Sequence, residues 1–225
     1  QNQLNWSPAG VVADIGAGTG LLAVPFLHNG NRVFAVEPNA RMFAAAVDSL
    51  GKWSTFAPID GTAEATGLDD ASVDLVVAGQ AFHWFDAVRF KAEAGRILRR
   101  SKPVALVWNK RRRESGFNAA LQALVETHQV DRSAAESLDA SDNAGGVLDR
   151  FFAPRGFVLG TFENPHLIDR AGLLDRLASS SYMPLPPDPR HDAVMAEAGE
   201  LFDRYQSDGA VRVEHETRVY LGSVE

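Results

Sequence analysis

The string Asp14-Ile15-Gly16-Ala17-Gly18-Thr19-Gly20 follows an apolar run, Val11 to Ile15, and precedes a helical pattern. Glycines at such a junction allow close backbone approach to a ligand and expose N–H groups at a helix N-terminus. Glu37 ends the next apolar run, 17 positions past Gly20. A carboxylate there can accept hydrogen bonds from both ribose hydroxyls. Together, in this strand and helix context, the two features point to a bound nucleoside cofactor. The spacing is Gly16-x-Gly18-x-Gly20, and Leu21 holds the place of a dinucleotide fingerprint's third glycine. A bulky residue there disfavours a helix packed closely beneath a pyrophosphate. A nucleoside cofactor without phosphate remains, with an amino-acid tail that needs amides and an acidic partner for its ammonium. Asp14 is placed to help there.

Further groups sit where open α/β sheets bind ligands, beyond strand C-terminal ends. His83 follows the run Val73 to Ala78, and a reference pKa of ~6.5 suits proton transfer near neutrality. It is either a general base or a ring packed between Phe82 and Trp84 to shape the pocket. Trp84 and Phe85 either stack on a ligand or belong to the core. Met42 either touches the adenine of a nucleoside or fills a helix's inner face. Lys110-Arg111-Arg112-Arg113 follows another apolar run; it is a solvated face or a set of forks for the carboxylate of an acidic substrate.

The elements that must position these groups alternate. Apolar, β-branched runs at Val11–Ile15, Arg32–Glu37, Val73–Ala78 and Val104–Trp108 indicate a parallel sheet of βαβ units, with a weaker strand near Thr55–Ile59. Asn39 and Asp86 are expected N-caps of helices whose apolar residues recur at helical spacing, and Gly51 can close the first of these. Pro25 must kink the helix between Gly18 and His28 or fall in its early turn. Later come helices around Phe117–Val125, Leu173–Leu177 and His191–Tyr205, and a strand near Phe157–Phe162. A polar stretch from Asp131 to Gly146 reads as exposed or mobile, and strict alternation over Val211–Leu221 implies a half-exposed strand. The two late strands suggest an antiparallel edge on the parallel sheet.

At this point the sequence resembles the class I S-adenosylmethionine-dependent methyltransferases, well over Val11 to about Asn109 and loosely beyond. Val12 to Gly20 resembles the family's first motif, which implies that Asp14, Gly16, Ala17, Gly18 and Gly20 bind the methionine part of the cofactor. Val36-Glu37-Pro38-Asn39 resembles the second, whose acidic residue holds the ribose. Asp60-Gly61-Thr62-Ala63-Glu64 resembles the third, so that Ala63 and Glu64 border the adenine. Ser72 to Phe85, with Gln80, is similar to the fourth motif and its extension. The Gln80-Ala81-Phe82-His83-Trp84-Phe85 string is similar to a small-molecule branch that includes trans-aconitate methyltransferase-like proteins. The resemblance implies S-adenosyl-L-methionine as cofactor and a Rossmann-like, seven-stranded, mostly parallel sheet with an antiparallel last strand and helical insertions. Those insertions are expected at about 110–155 and 164–209 of a single domain. The family usually has a lid helix before the first motif; only Gln1 to Gly10 precede it here, so that helix is missing from this chain or the protein does without it.

Composition narrows the classes. The chain has 225 residues and no cysteine, with 22 Lys and Arg against 29 Asp and Glu, a formal charge of −7. Disulfide scaffolds and Cys-ligated metal sites are excluded, and broad adhesion to nucleic acid or anionic membrane is disfavoured. The six histidines form no His-x-x-x-His pair, so no metal site is expected. No membrane span or signal peptide is evident, and the cytoplasm is the expected compartment. The expected reaction is methyl transfer to a small-molecule acceptor, with oxygen the first choice of nucleophile. A nicotinamide-dependent oxidoreductase and a non-catalytic cofactor-binding partner of the same fold are the alternatives.

Overall fold

The computed structural model describes residues 6–114, 116–130, 146–180 and 182–224. Of the polar stretch Asp131 to Gly146, all but Gly146 lies outside the described residues. In chain order the elements are β1 (Val11–Ile15), α1 (Ala23–His28), β2 (Arg32–Val36), α2 (Ala40–Leu50), β3 (Phe56–Ile59), β4 (Leu75–Gly79), α3 (Ala87–Ile97), β5 (Val104–Arg111) and α4 (Gly116–His128). There follow α5 (Val147–Phe152), β6 (Phe157–Glu163), β7 (His166–Ile168), α6 (Arg170–Ala178), α7 (His191–Tyr205), β8 (Val211–Val213) and β9 (His215–Gly222). Seven strands form one sheet in the order β3-β2-β1-β4-β5-β9-β6. The pairings among β1 to β5 are parallel, and antiparallel strands complete a mostly parallel sheet. Among the described residues, no helix is long and apolar enough to cross a membrane.

Two compact units divide the chain. The first comprises Gln1–Trp108, Asn143–Gly160 and Val219–Glu225. Its helices start where side chains replace missing helical partners. Asn39 accepts from the N–H groups of Arg41 and Met42, and Asp86 from those of Val88 and Arg89. Pro25 falls in the first turn of α1, where its missing N–H costs no helical bond. Pro58 is accommodated because β3 is an edge strand. The central strands are buried on both faces, with Val12, Ile15, Val33, Val36 and Val76 wholly enclosed, as their continuous apolar runs require. On one side of the sheet Phe82, Phe90 and Phe151 form an aromatic cluster, the last two stacked with centroids 5.4 Å apart.

The second unit comprises Asn109–Asp142 and Thr161–Arg218. Leu121 and Leu124 of α4, Leu173 and Leu177 of α6 and Val194 and Phe202 of α7 build its core together with Val211 and Val213. β7 and β8 pair antiparallel in a separate two-stranded sheet. The alternating stretch from Val211 onward is therefore not one strand. It breaks at Glu214, whose carbonyl accepts from the Arg112 N–H and the Asn118 side chain, and whose own N–H donates to Asn118 Oδ1. Beyond the break, β9 inserts between β5 and β6, which leaves β6 rather than the terminal strand at the sheet edge.

One buried polar network in the first unit carries no sequence signature. Glu93 Oε1 accepts from the Thr66 N–H at 2.8 Å and the Thr66 hydroxyl at 2.6 Å. Arg96 donates to both Glu93 oxygens and to Asp70. The hydrogen bond from Arg96 holds the Glu93 pKa down at about 2, against the opposing effect of burial. A depressed carboxylate pKa stabilises the fold above the unfolded value, and this contribution is lost as pH falls toward 2. Glu93→Ala is expected to cost roughly 2–3 kcal/mol at pH 7 by leaving Thr66 and Arg96 unpaired. The deficit should shrink steadily below pH 4 in denaturant melts. A deficit independent of pH would mean that packing, not the charge, carries the effect.

Candidate functional site

The glycine loop is suspended from the end of β2. Val36 O accepts from the N–H groups of both Gly16 and Ala17, at 2.9 and 3.1 Å. Glu37, only 7% exposed, accepts from the Gly18 N–H through Oε2 and from the Asn39 N–H through Oε1, each at 2.8 Å. Gly20 N–H donates to Ala17 O. These amides are therefore engaged within the fold and do not form the open anion cradle expected from the sequence. The helix N-terminus is also further on, because α1 begins only at Ala23.

What the glycines supply is shape. Gly16 and Gly18 have φ of +66° and +58°, values that side chains seldom adopt. A Cβ at Gly16 would lie 2.7 Å from the Ala81 Cβ and 3.1 Å from the Phe85 ring, so the loop packs directly on the segment after β4. At Gly18 the surroundings are open, and the nearest atom to a Cβ there would be Met42 Sδ at 3.8 Å. Gly20 meets Leu50 and Ala46 of α2. Leu21, by contrast, is 80% exposed. It precedes α1 and does not lie between helix and strand, so its bulk does not exclude a dinucleotide in the way its sequence position implies.

Asp14 lies under this loop, completely enclosed, and among the described residues neither carboxylate oxygen has a hydrogen-bond partner. Burial, reinforced by the Glu37 charge, raises its pKa to about 7. The contrast with Glu37 is local: one carboxylate collects two backbone donors, the other none. Because Asp14 is sealed off, its influence on a ligand's cation would act through its field.

The remaining sequence-predicted residues fall around the loop. Pro38 and Met42 are exposed at the start of α2, with Met42 beside Gly18. Ala63 is buried after β3, and Glu64 accepts from the Asp86 N–H at 2.9 Å, joining that segment to the start of α3. Gln80 directly follows β4 with φ of +55°, a strained value for a non-glycine residue and of a kind that clusters at functional sites. His83 lies on the 3-10 turn Phe82–Trp84, half-buried, with a buried Nδ1 that has no hydrogen-bond partner among the described residues. Burial pushes its pKa below the usual value, which keeps the ring neutral and able to accept a proton near pH 7. Of the two aromatics, Trp84 is 79% exposed and not part of the core, whereas Phe85 is half-buried against Gly16. The tight turn accounts for the difference, since it directs Phe82 into the core and Trp84 outward.

Glu37, Gly18, Met42 and the post-β4 segment thus surround the C-terminal ends of β1, β2 and β4, where a Rossmann-like sheet receives a nucleoside. These residues fit a cofactor with a ribose and a cationic tail. Glu37 retains lone pairs for hydroxyls, Gly18 leaves room, and the unpartnered Asp14 carboxylate gains from a nearby positive charge. The fold and loop are those of a Rossmann-like nucleoside-binding site.

Residues 13–105 match the family described as "Methyltransferase domain". An uncharacterized methyltransferase of Mycobacterium tuberculosis strain H37Rv is 40% identical over 114 residues, covering 51% of this chain and 46% of that protein. The chain thus spans about half the length of the curated relatives it matches. Among solved structures, a candidate type II methyltransferase from Anaeromyxobacter dehalogenans superposes with TM-score 0.71 at 21% identity, covering 96% of this chain and 90% of that one. Geranyl diphosphate methyltransferase in complex with SAM shares the fold at TM-score 0.50 and 15% identity, covering 97% of this chain and 81% of that one. Residues 13–105 are thus similar to methyltransferase domains, and the fold is one shared with solved methyltransferase structures.

The enclosure of Asp14 has a measurable consequence. A carboxyl whose folded pKa is raised favours the fold fully below the unfolded value of 3.8, and this advantage disappears as pH rises through about 7. At ~1.4 kcal/mol per unit, the loss is on the order of 4 kcal/mol by pH 8. Asp14→Asn should therefore gain stability relative to the wild type between pH 4 and pH 8 by several degrees in melting temperature. A difference that stays flat across that range would contradict an unpartnered, enclosed carboxyl.

Proposed function

We propose that this chain transfers a methyl group from S-adenosyl-L-methionine to an oxygen atom of a small-molecule acceptor. The observation that carries the reading is the Glu37 carboxylate, fixed by Gly18 and Asn39 at the end of β2 where a ribose diol is held in this architecture. When bound, the cofactor supplies an electrophilic methyl carbon on a sulfonium. The chain's own contribution is then positioning, with removal of a proton where the acceptor is a neutral hydroxyl. Glu37 would hold the ribose, Pro38 and Met42 would flank the nucleoside, and Ala63 and Glu64 would border the base. Gly16, Ala17, Gly18 and Gly20 would shape the floor under the methionine part, with Asp14 supplying negative field and Gln80 closing the β4 side. His83, neutral at pH 7, would take the acceptor's proton.

Calorimetric titration with S-adenosylhomocysteine, with NAD in parallel, tests the cofactor. The account expects saturable binding of the former alone; saturable binding of NAD alone would replace the methyltransferase reading with an oxidoreductase. With labelled cofactor and a hydroxylated acceptor, His83→Ala should lower kcat by roughly 10²-fold or more. The wild-type rate should decline on acidification, with a limb that lies below the usual imidazole value because burial lowers the His83 pKa, and the variant should lack that limb. An unchanged kcat would assign His83 to packing.

A further inference from the structure

The second unit contains a groove that the cofactor site does not use. Lys110, Arg111, Arg112, Arg113 and Glu114, at and just after the end of β5, line it together with Glu216 and Arg218 of β9. Its volume is about 550 Å³, in the range of sites for small ligands. Five of the seven lining residues are basic and two are acidic, in a chain whose formal charge is −7. The positive charge is therefore concentrated against the sign of the whole molecule.

This concentration is built into the fold. The Asn118 side chain, completely enclosed, donates to Arg112 O at 2.5 Å and to Glu214 O at 2.7 Å. The Arg112 N–H donates to Glu214 O at 2.9 Å. A buried amide thus fastens the basic run to the chain just ahead of Glu216. Two guanidiniums are oriented by neighbours, Arg111 by Gln122 Oε1 and Arg218 by Glu216 Oε1, each at 2.6 Å. His215, beside Glu216, reports the local field. Burial lowers its pKa, the bond to the Val213 carbonyl opposes this, and the charges of His166, Arg111 and Arg176 lower it further. Such a site suits compact negative charge: guanidinium forks match oxyanions in pairs, while a long polyanion would meet the net negative charge of the rest of the chain.

We propose that this groove binds a small, multiply charged oxyanion through Arg112, Arg113 and Lys110.

Titration calorimetry of the full chain, without cofactor, against pyrophosphate, orthophosphate and succinate tests the groove. Arg112→Glu/Arg113→Glu reverses two exposed side chains, the first of which bonds through its backbone, and its melting temperature is compared with that of the wild type before binding is read. Saturable binding of at least one probe is expected, weakened about tenfold or more in this variant, equivalent to ~1.4 kcal/mol. Arg100→Glu/Arg155→Glu, an equal charge change at two exposed positions elsewhere, should alter it by less than about twofold. Preference for pyrophosphate would assign a phosphorylated ligand, and preference for succinate a carboxylate; either supports the site. Absence of saturable binding to all three probes, or equal weakening in both double variants, would overturn it. S-adenosylhomocysteine titrated separately reports on the methyl-transfer reading, so each proposal can fail alone.

Discussion

The carboxylate of Glu37 is the contact on which the nucleoside-binding end of the sheet depends. One oxygen holds the Gly18 N–H and the other the Asn39 N–H. Through the first it fixes the loop after β1. Through the second it sets the chain into α2, which Asn39 then caps. Val36, one residue earlier, holds Gly16 and Ala17 by its carbonyl. The end of β2 therefore determines where the loop runs and hence where Gly16 rests on Ala81 and Phe85. A neutral residue at position 37 would keep at most part of this arrangement, because charge-assisted bonds to backbone N–H groups are the stronger kind.

Three enclosed carboxylates separate function from architecture by their partners. Glu93 is saturated by Thr66 and Arg96, and its charge serves the fold. Glu37 is half saturated, by backbone donors alone, with capacity left for hydroxyls. Asp14 has no donor and remains costly to ionise. A site that binds a cation above a loop has a reason to retain such a group; a structural core has none.

The parallel core was legible because its signals are local and redundant. Buried strands read as continuous apolar runs, and Asn39 and Asp86 cap the helices that follow them. The place of Glu37 was legible for the same reason, since it directly follows an apolar strand run, whereas its bonds to Gly18 and Asn39 were not. What could not be read depends on partners distant in sequence. Alternation over Val211–Leu221 looks like one strand, yet Asn118, nearly a hundred positions earlier, diverts Glu214 from the ladder. The loop amides look available in sequence, yet Val36 O takes those of Gly16 and Ala17, Glu37 that of Gly18 and Ala17 O that of Gly20. Leu21 looked obstructive only while α1 was taken to start before Ala23. The Thr66–Glu93–Arg96 network pairs residues whose types alone say nothing of contact.

The central claim is that Glu37 holds a ribose. Its most direct test is calorimetric titration of wild type and Glu37→Ala with S-adenosylhomocysteine and its 2′-deoxy analogue. In the wild type, loss of one hydroxyl should weaken binding about tenfold, the order of one charge-assisted hydrogen bond. Glu37→Ala should bind both ligands weakly and no longer distinguish them. Equal discrimination by wild type and variant would contradict the account, because the ribose would then be held elsewhere.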